Sequence, residues 1–224
     1  MNALNEFVIN KYGLDPEGES PLVLPFDRKG LPKLFRKFGY LVGAEIGVDQ
    51  GRYSKWICQT LPKAKLYSVD PWAVYEGYVE RKGERGQNVL DGRYESAKAR
   101  LAPYNCEIIR DWSTSAVKRF EDESLDFVYI DASHSFQPVI DDIAEWSKKV
   151  RPGGIVAGHD FWNSAEGFGT SRQDLTLFIK HLSPAETVAL CQVKDAVEAW
   201  THTTRISPWF VTSEDLPSWL WVKD

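Results

Sequence analysis

No stretch of this sequence approaches the ~18 consecutive apolar residues that a membrane-spanning helix needs, so none is expected. The first residues, MNALNEFVINKYG, carry neither a basic segment nor an apolar core, and no secretory signal is expected there. Cysteine is scarce. Cys58, Cys106 and Cys191 lie far apart, each in an apolar run, which suits buried free thiols in a reducing compartment better than a disulfide frame or a zinc site. Positive charge is in deficit, 27 Lys+Arg against 32 Asp+Glu in 224 residues, which argues against a protein that works by neutralising nucleic-acid phosphates. There is no internal repeat and no low-complexity tract. The expectation is a soluble, cytoplasmic protein with one main α/β domain.

What is present is organised around Leu41–Ser54, LVGAEIGVDQGRYS. Apolar residues lead into a short turn, and a helical run follows from Arg52. Glycines at the end of a strand that feeds a helix present free backbone N–H groups and let a ligand approach the chain. The dinucleotide fingerprint G-x-G-x-x-G is missing: the pattern here is E-x-G-x-x-x-G, with Glu45 where the first glycine would stand. The stretch predicts a nucleoside pocket without a pyrophosphate reader, with Glu45, Gly47, Asp49, Gly51 and Ser54 on its wall.

From Leu41 onward, strands alternate with helices, which predicts a mostly parallel, doubly wound Rossmann-like sheet. The strands are Leu41–Ile46, Lys65–Val69, Glu107–Arg110, Leu125–Ile130 and Ile155–Gly158. The helices between them are Arg52–Thr60, Tyr94–Leu101, Thr114–Phe120 and Gln137–Val150. Val193–His202 reads as a further helix, and the end, PWFVTSEDLPSWLWVK, as an antiparallel β-hairpin. Residues 1–38 form a leader: Leu4, Phe7, Val8 and Tyr12 recur at helical spacing before several prolines, and such a segment packs over a domain edge or caps a site. The main domain spans 39–224. Residues 71–93 read as a lid or a solvated loop, and 161–190 as an insertion with a helix near Asp174–His181. Asp141-Asp142 and Lys148-Lys149 read as the wet face of their helix.

In an open parallel sheet, ligands bind beyond the carboxyl ends of the strands. Polar residues gather at all five: Glu45–Gly51, Asp70, Asp111-Trp112-Ser113, Asp131-Ala132-Ser133-His134 and His159-Asp160. Asp70 lies 23 residues after Gly47, where a carboxylate can accept the hydroxyls of a ribose; the alternative is a solvated Asp before proline. Asp111 and Trp112 offer an acceptor and an aromatic wall for an adenine, or Asp111 and Ser113 cap the next helix.

These pieces carry a resemblance. EIGVDQG, YSVDPW, LDFVYIDASHSF and RPGGIVAGHDF resemble the corresponding motifs of class I S-adenosylmethionine-dependent methyltransferases. Among these the sequence is most similar to small-molecule O-methyltransferases of the catechol and macrocin kind. The resemblance covers residues 38–160, with the terminal hairpin agreeing in topology. It implies that Glu45 and Gly47 approach the methionine part of S-adenosylmethionine, that Asp70 holds the ribose, and that Asp111-Trp112 lie near the adenine.

The resemblance also implies a divalent cation, magnesium or manganese, on Asp131, His159 and Asp160. A cation lowers the pKa of an acceptor hydroxyl and orients it. Phe161 stands where the catechol kind has Asn, and His159 suits manganese, iron or zinc better than magnesium. His134, three residues after Asp131, matches a general base of the macrocin kind; the other reading is a polar residue at a helix entrance. His181 and His202 read as structural or surface residues. The expected activity is methyl transfer to a hydroxyl of a small molecule, sugar-like or phenol-like, with catalytic residues Asp131 and His134. A nucleotide or NAD-type enzyme, and a non-catalytic cofactor-binding or interaction protein, stay open. The D/N-P-P-Y/F/W motif of amino-directed nucleic-acid enzymes is absent, D-A-S-H standing in its place. No nucleic-acid or membrane partner is expected, and a homo-oligomer is left open.

Overall fold

Each helix begins or ends where its sequence lets it. α1 (Ala3–Tyr12) starts where the Asn2 side chain accepts from Asn5 N, and stops at Gly13 in the left-handed region, φ 64°. α2 (Leu31–Lys37) admits Pro32 in its first turn and buries Leu31, Leu34 and Phe35. α3 (Arg52–Thr60) opens at Gly51, φ 71°. The computed structural model describes residues 2–74, 86–164 and 191–224.

These helices cover a sheet of eight strands among the described residues: β1 (Leu22–Val23), β2 (Val42–Ile46), β3 (Lys65–Asp70), β4 (Cys106–Arg110), β5 (Leu125–Ile130), β6 (Val150–Gly158), β7 (Phe210–Val211) and β8 (Trp219–Val222). Their order is β1-β7-β8-β6-β5-β2-β3-β4. From β6 to β4 all neighbours are parallel, whereas β8 runs antiparallel to both β6 and β7. The Rossmann-like fold and its terminal antiparallel hairpin are those the alternation predicted.

Strand side chains alternate between two cores. Ala44, Ile46, Val128 and Ile130 face α6 (Phe136–Lys149), which contributes Val139, Ile143 and Trp146, and α7 (Val193–Thr204) with Val197. Leu66, Phe127 and Tyr129 face α1, α2 and α3, where Phe35 stacks on Phe127 at 4.5 Å between ring centroids. The three cysteines are free thiols, Cys58 and Cys191 buried.

Four expectations need correction. First, the segment 1–38 adds a strand to the sheet edge as well as packing there. β1 pairs in parallel with β7, and Leu24, Leu31 and Phe35 are buried in the second core. Second, α4 (Gln87–Leu101) begins at Gln87, inside the expected lid, not at Tyr94. It buries only Leu90, Ala97 and Leu101, too sparse a stripe for periodicity to show its first two turns. Third, the helix after β4 is one α-turn, α5 (Ser113–Ala116), followed by a 3-10 turn over Val117–Arg119. Fourth, Asp142 is no part of a wet face: it is buried while Asp141 is exposed. Tyr75, Tyr78, Arg81, Arg85, His181 and the expected helix Asp174–His181 lie outside the described residues.

Candidate active site

β2 leads to β3 and β4 on one side and the chain returns to β5 on the other, so the direction of winding reverses between β2 and β5. Such a reversal opens a crevice at the carboxyl ends of the strands. Here the crevice is a cavity of about 670 Å³ running from Arg28 and Tyr53, past Gly47 and Asp70, to Ser113 and Asp142. Gly47 fixes its floor. A Cβ added there would lie 1.9 Å from the Asp131 carbonyl oxygen, and φ is +88°. The glycine is thus required by the close approach of two strand ends, in addition to any ligand.

Asp70 binds this floor together. One carboxylate oxygen accepts from Val48 N at 2.9 Å and Asp49 N at 3.0 Å, and the other from Trp72 N at 2.8 Å. Burial pushes its pKa up, against these three backbone donors. Each oxygen keeps lone-pair capacity for a further donor from the cavity. Trp72 is not a loop-tip residue: it is buried, and its indole N–H donates to Asp49 O at 2.8 Å.

Glu45 lines the same cavity, and burial raises its pKa well above the carboxylate range. The buried Ser54 hydroxyl donates to it, and Ser68 Oγ donates on to Ser54 Oγ at 3.1 Å. Ser54 therefore supports Glu45 from behind and does not reach the cavity lining, and Gly51 sets the start of α3 against Leu101. Asp49 lines the cavity and pairs with Arg93 at 3.2 Å.

Arg28, from the segment between β1 and α2, also lines the cavity. Its guanidinium lies 3.7 Å from Asp131 Oδ2 and 5.2 Å from the Tyr53 ring centroid. Its backbone is held at both ends: N donates to Glu214 Oε1 at 3.0 Å, and O accepts from the Tyr53 hydroxyl at 2.9 Å. Sequence reasoning missed Arg28, since nothing in FDRKG shows that it reaches a cavity across the sheet.

At the far end, Trp112, Ser113 and Thr114 line the cavity, whereas Asp111 does not. Asp111 turns its carboxylate to Trp112 N, 2.8 Å away. The buried acid at this end is Asp142 of α6. Ser113 Oγ donates to its Oδ1, and burial raises its pKa to about 6.

Asp131 joins the cavity to a second group of side chains. One donor atom from each of Asp131, His134 and Asp160 lies within 4.8 Å of the others. His134 Nε2 is 2.9 Å from Asp160 Oδ2, and His159 Nδ1 is 2.9 Å from Asp160 Oδ1. His159 also stands 3.7 Å from Asp131. The ring of His134 is 42 % exposed, yet its Nε2 is buried and, like Asp160 Oδ1, is not aligned for a hydrogen bond. Burial opposes the charged form of His134, but the adjoining Asp160 carboxylate, 2.9 Å away, and the charge of Asp131 outweigh it and raise its pKa. Burial likewise opposes the Asp160 carboxylate, and the two imidazoles hold its pKa below the usual range. The donor set the geometry assembles contains His134, with His159 oriented on Asp160 from the side.

Residues 44–161, more than half of the chain, match the family model described as a methyltransferase domain. The uncharacterized protein y4gI of Sinorhizobium fredii is 28% identical over 131 residues, covering 56% of this chain and 14% of that protein, so the chain spans a small part of this curated relative. An O-methyltransferase from Bacillus cereus, solved in complex with SAH, shares the fold with a TM-score of 0.56 at 16% identity, covering 100% of this chain and 92% of that one. TomG of Streptomyces achromogenes, solved with SAM, gives 0.54 at 17% identity, covering 100% and 91%. The chain thus belongs to this methyltransferase-domain family, and it shares its fold with these solved methyltransferases.

Proposed function

We propose that the protein transfers the methyl group of S-adenosylmethionine to a hydroxyl of a small molecule. The observation that carries this reading is the cavity itself: it brings Glu45, the Gly47 turn and Asp70 together with Asp131, which also clusters with His134 and Asp160. Asp70 accepts the ribose hydroxyls, Glu45 and the Gly47 turn take the methionine part, and Arg28 faces its carboxylate. Asp49 completes the wall beside Asp70. The family match removes the NAD-type alternative.

The methyl carbon passes by in-line displacement: the bond to sulfur breaks as the bond to oxygen forms, and the acceptor hydroxyl loses its proton. The protein's largest contribution is to hold sulfur, carbon and oxygen in line. His134, with its ring partly open to solvent and Nε2 against Asp160, is placed to take the proton.

The same residues fit a divalent cation. Two carboxylates and an imidazole converge, and among the described residues the buried His134 Nε2 and Asp160 Oδ1 meet only ion-pair partners that are not aligned for a hydrogen bond. Asp131, Asp160 and His134 would hold the ion, with His159 behind Asp160. The O,N,O donor set favours manganese, iron or zinc over magnesium. A bound cation would lower the pKa of the acceptor hydroxyl.

Incubation with methyl-labelled S-adenosylmethionine and a panel of catechols and sugars tests the reading. A labelled ether is the expected product. Saturable cofactor binding with no label in any hydroxylated compound would favour a binding protein of the same fold.

A further inference from the structure

Resting on the cofactor reading above, one residue at the far end of the cavity has a job not yet assigned. Asp142 is 4 % exposed, sits on the apolar stripe of α6 and still lines the cavity. A carboxylate in a hydrophobic core is costly unless something bonds it. Ser113 Oγ donates to Oδ1, and no partner for Oδ2 is found among the described residues. Pro138 and Trp112 line the same cavity. An acceptor-only group in a cavity that also holds an indole and a proline ring matches a heteroaromatic ring that presents an N–H donor at its edge.

We propose that Asp142, positioned by Ser113, reads the 6-amino group of the cofactor's adenine, in the place where Asp111 stands in the sequence pattern. The exocyclic N–H donates to Oδ2, while Ser113 keeps the carboxylate turned toward the cavity. Asp111 serves the local turn instead, bonding Trp112 N at 2.8 Å. The consequence is chemical selectivity. A purine with a 6-oxo group in place of the amine puts an acceptor opposite an acceptor, and a site built around a hydrogen bond rejects a ligand that cannot make it.

The test is a calorimetric titration with S-adenosylhomocysteine and with S-inosylhomocysteine, its 6-oxo counterpart. Three proteins are used: wild type, Asp142→Asn and Asp111→Asn. The wild type is expected to prefer the adenine ligand by about tenfold or more. Asn at 142 still accepts from Ser113 and can donate to a 6-oxo group, so the preference should shrink by about tenfold or reverse. Asp111→Asn should leave the preference at its wild-type value. Equal wild-type affinity for the two ligands overturns the proposal without recourse to any variant. So does an unchanged preference in Asp142→Asn, or its collapse in Asp111→Asn. Failure of the wild type to bind S-adenosylhomocysteine at all would instead remove the cofactor reading, and this proposal with it. A purely structural role for Asp142 would lower both affinities together and leave their ratio unmoved, which also counts against it.

Discussion

Asp142 shows how one residue couples the cavity to stability. Its pKa is raised from 3.8 to about 6 by burial, so the folded protein binds a proton over a range of pH where the unfolded chain has released it. The group's contribution to stability is therefore fully present below the unfolded pKa and is lost as pH rises through about 6. Above that it costs at most about 3 kcal/mol. Asp142→Asn keeps the acceptor for Ser113, so at about pH 8 the variant should unfold at higher denaturant than wild type, with a smaller fall in stability between about pH 5 and pH 8. Equal pH profiles would mean that Asp142 ionises as it does in the unfolded chain. The position was legible: Val139, Asp142, Ile143 and Trp146 follow helical spacing, which puts Asp142 on the apolar stripe and Asp141 off it. The reading of an acidic pair as solvated hid this. Gly47 gives the opposite case, a residue marked by its motif but needed for packing. Gly47→Ala would drive a Cβ into the Asp131 carbonyl and is expected to cost about 2–4 kcal/mol in denaturant unfolding. A loss below about 1 kcal/mol would show that the two strand ends can part.

At the scale of elements, the strongly periodic pieces were legible and the sparse ones were not. β5, LDFVYI, is buried on both faces and reads as a strand from its apolar run alone. α2 escaped notice, although Leu31, Leu34 and Phe35 follow helical spacing, because the surrounding prolines suggested an irregular leader. Its pairing with the core is a long-range fact that no local pattern carries. Phe35→Ala tests whether this segment is part of the domain. Phe35 is fully buried and stacked on Phe127, so its truncation should cost about 3–5 kcal/mol. A detachable cap would give a small change and a separate, earlier unfolding step.

For the molecule as a whole, acids at the ends of successive strands pointed to one edge of the sheet, where the cavity lies, because a parallel sheet brings all those ends together. It could not show which of them face the cavity. Asp111 turns to the backbone of Trp112, His159 pairs with Asp160, and Arg28 arrives from the segment between β1 and α2. Those choices depend on side-chain direction and on contacts between distant segments. The cation reading is tested at this scale. After chelation and dialysis, turnover should fall and return more fully with manganese than with magnesium; turnover indifferent to chelation would leave His134 as the base acting alone.

The proposed site divides into a cofactor end, from Asp70 to Asp142, and a chemical end at His134, Asp131 and Asp160. The most direct measurement is of methyl transfer and S-adenosylhomocysteine affinity in the same His134→Ala protein, once an acceptor is in hand. Turnover should drop about 100-fold or more while affinity for S-adenosylhomocysteine stays within about twofold of wild type. Undiminished turnover, or an affinity that falls in step with it, would contradict that division of the site.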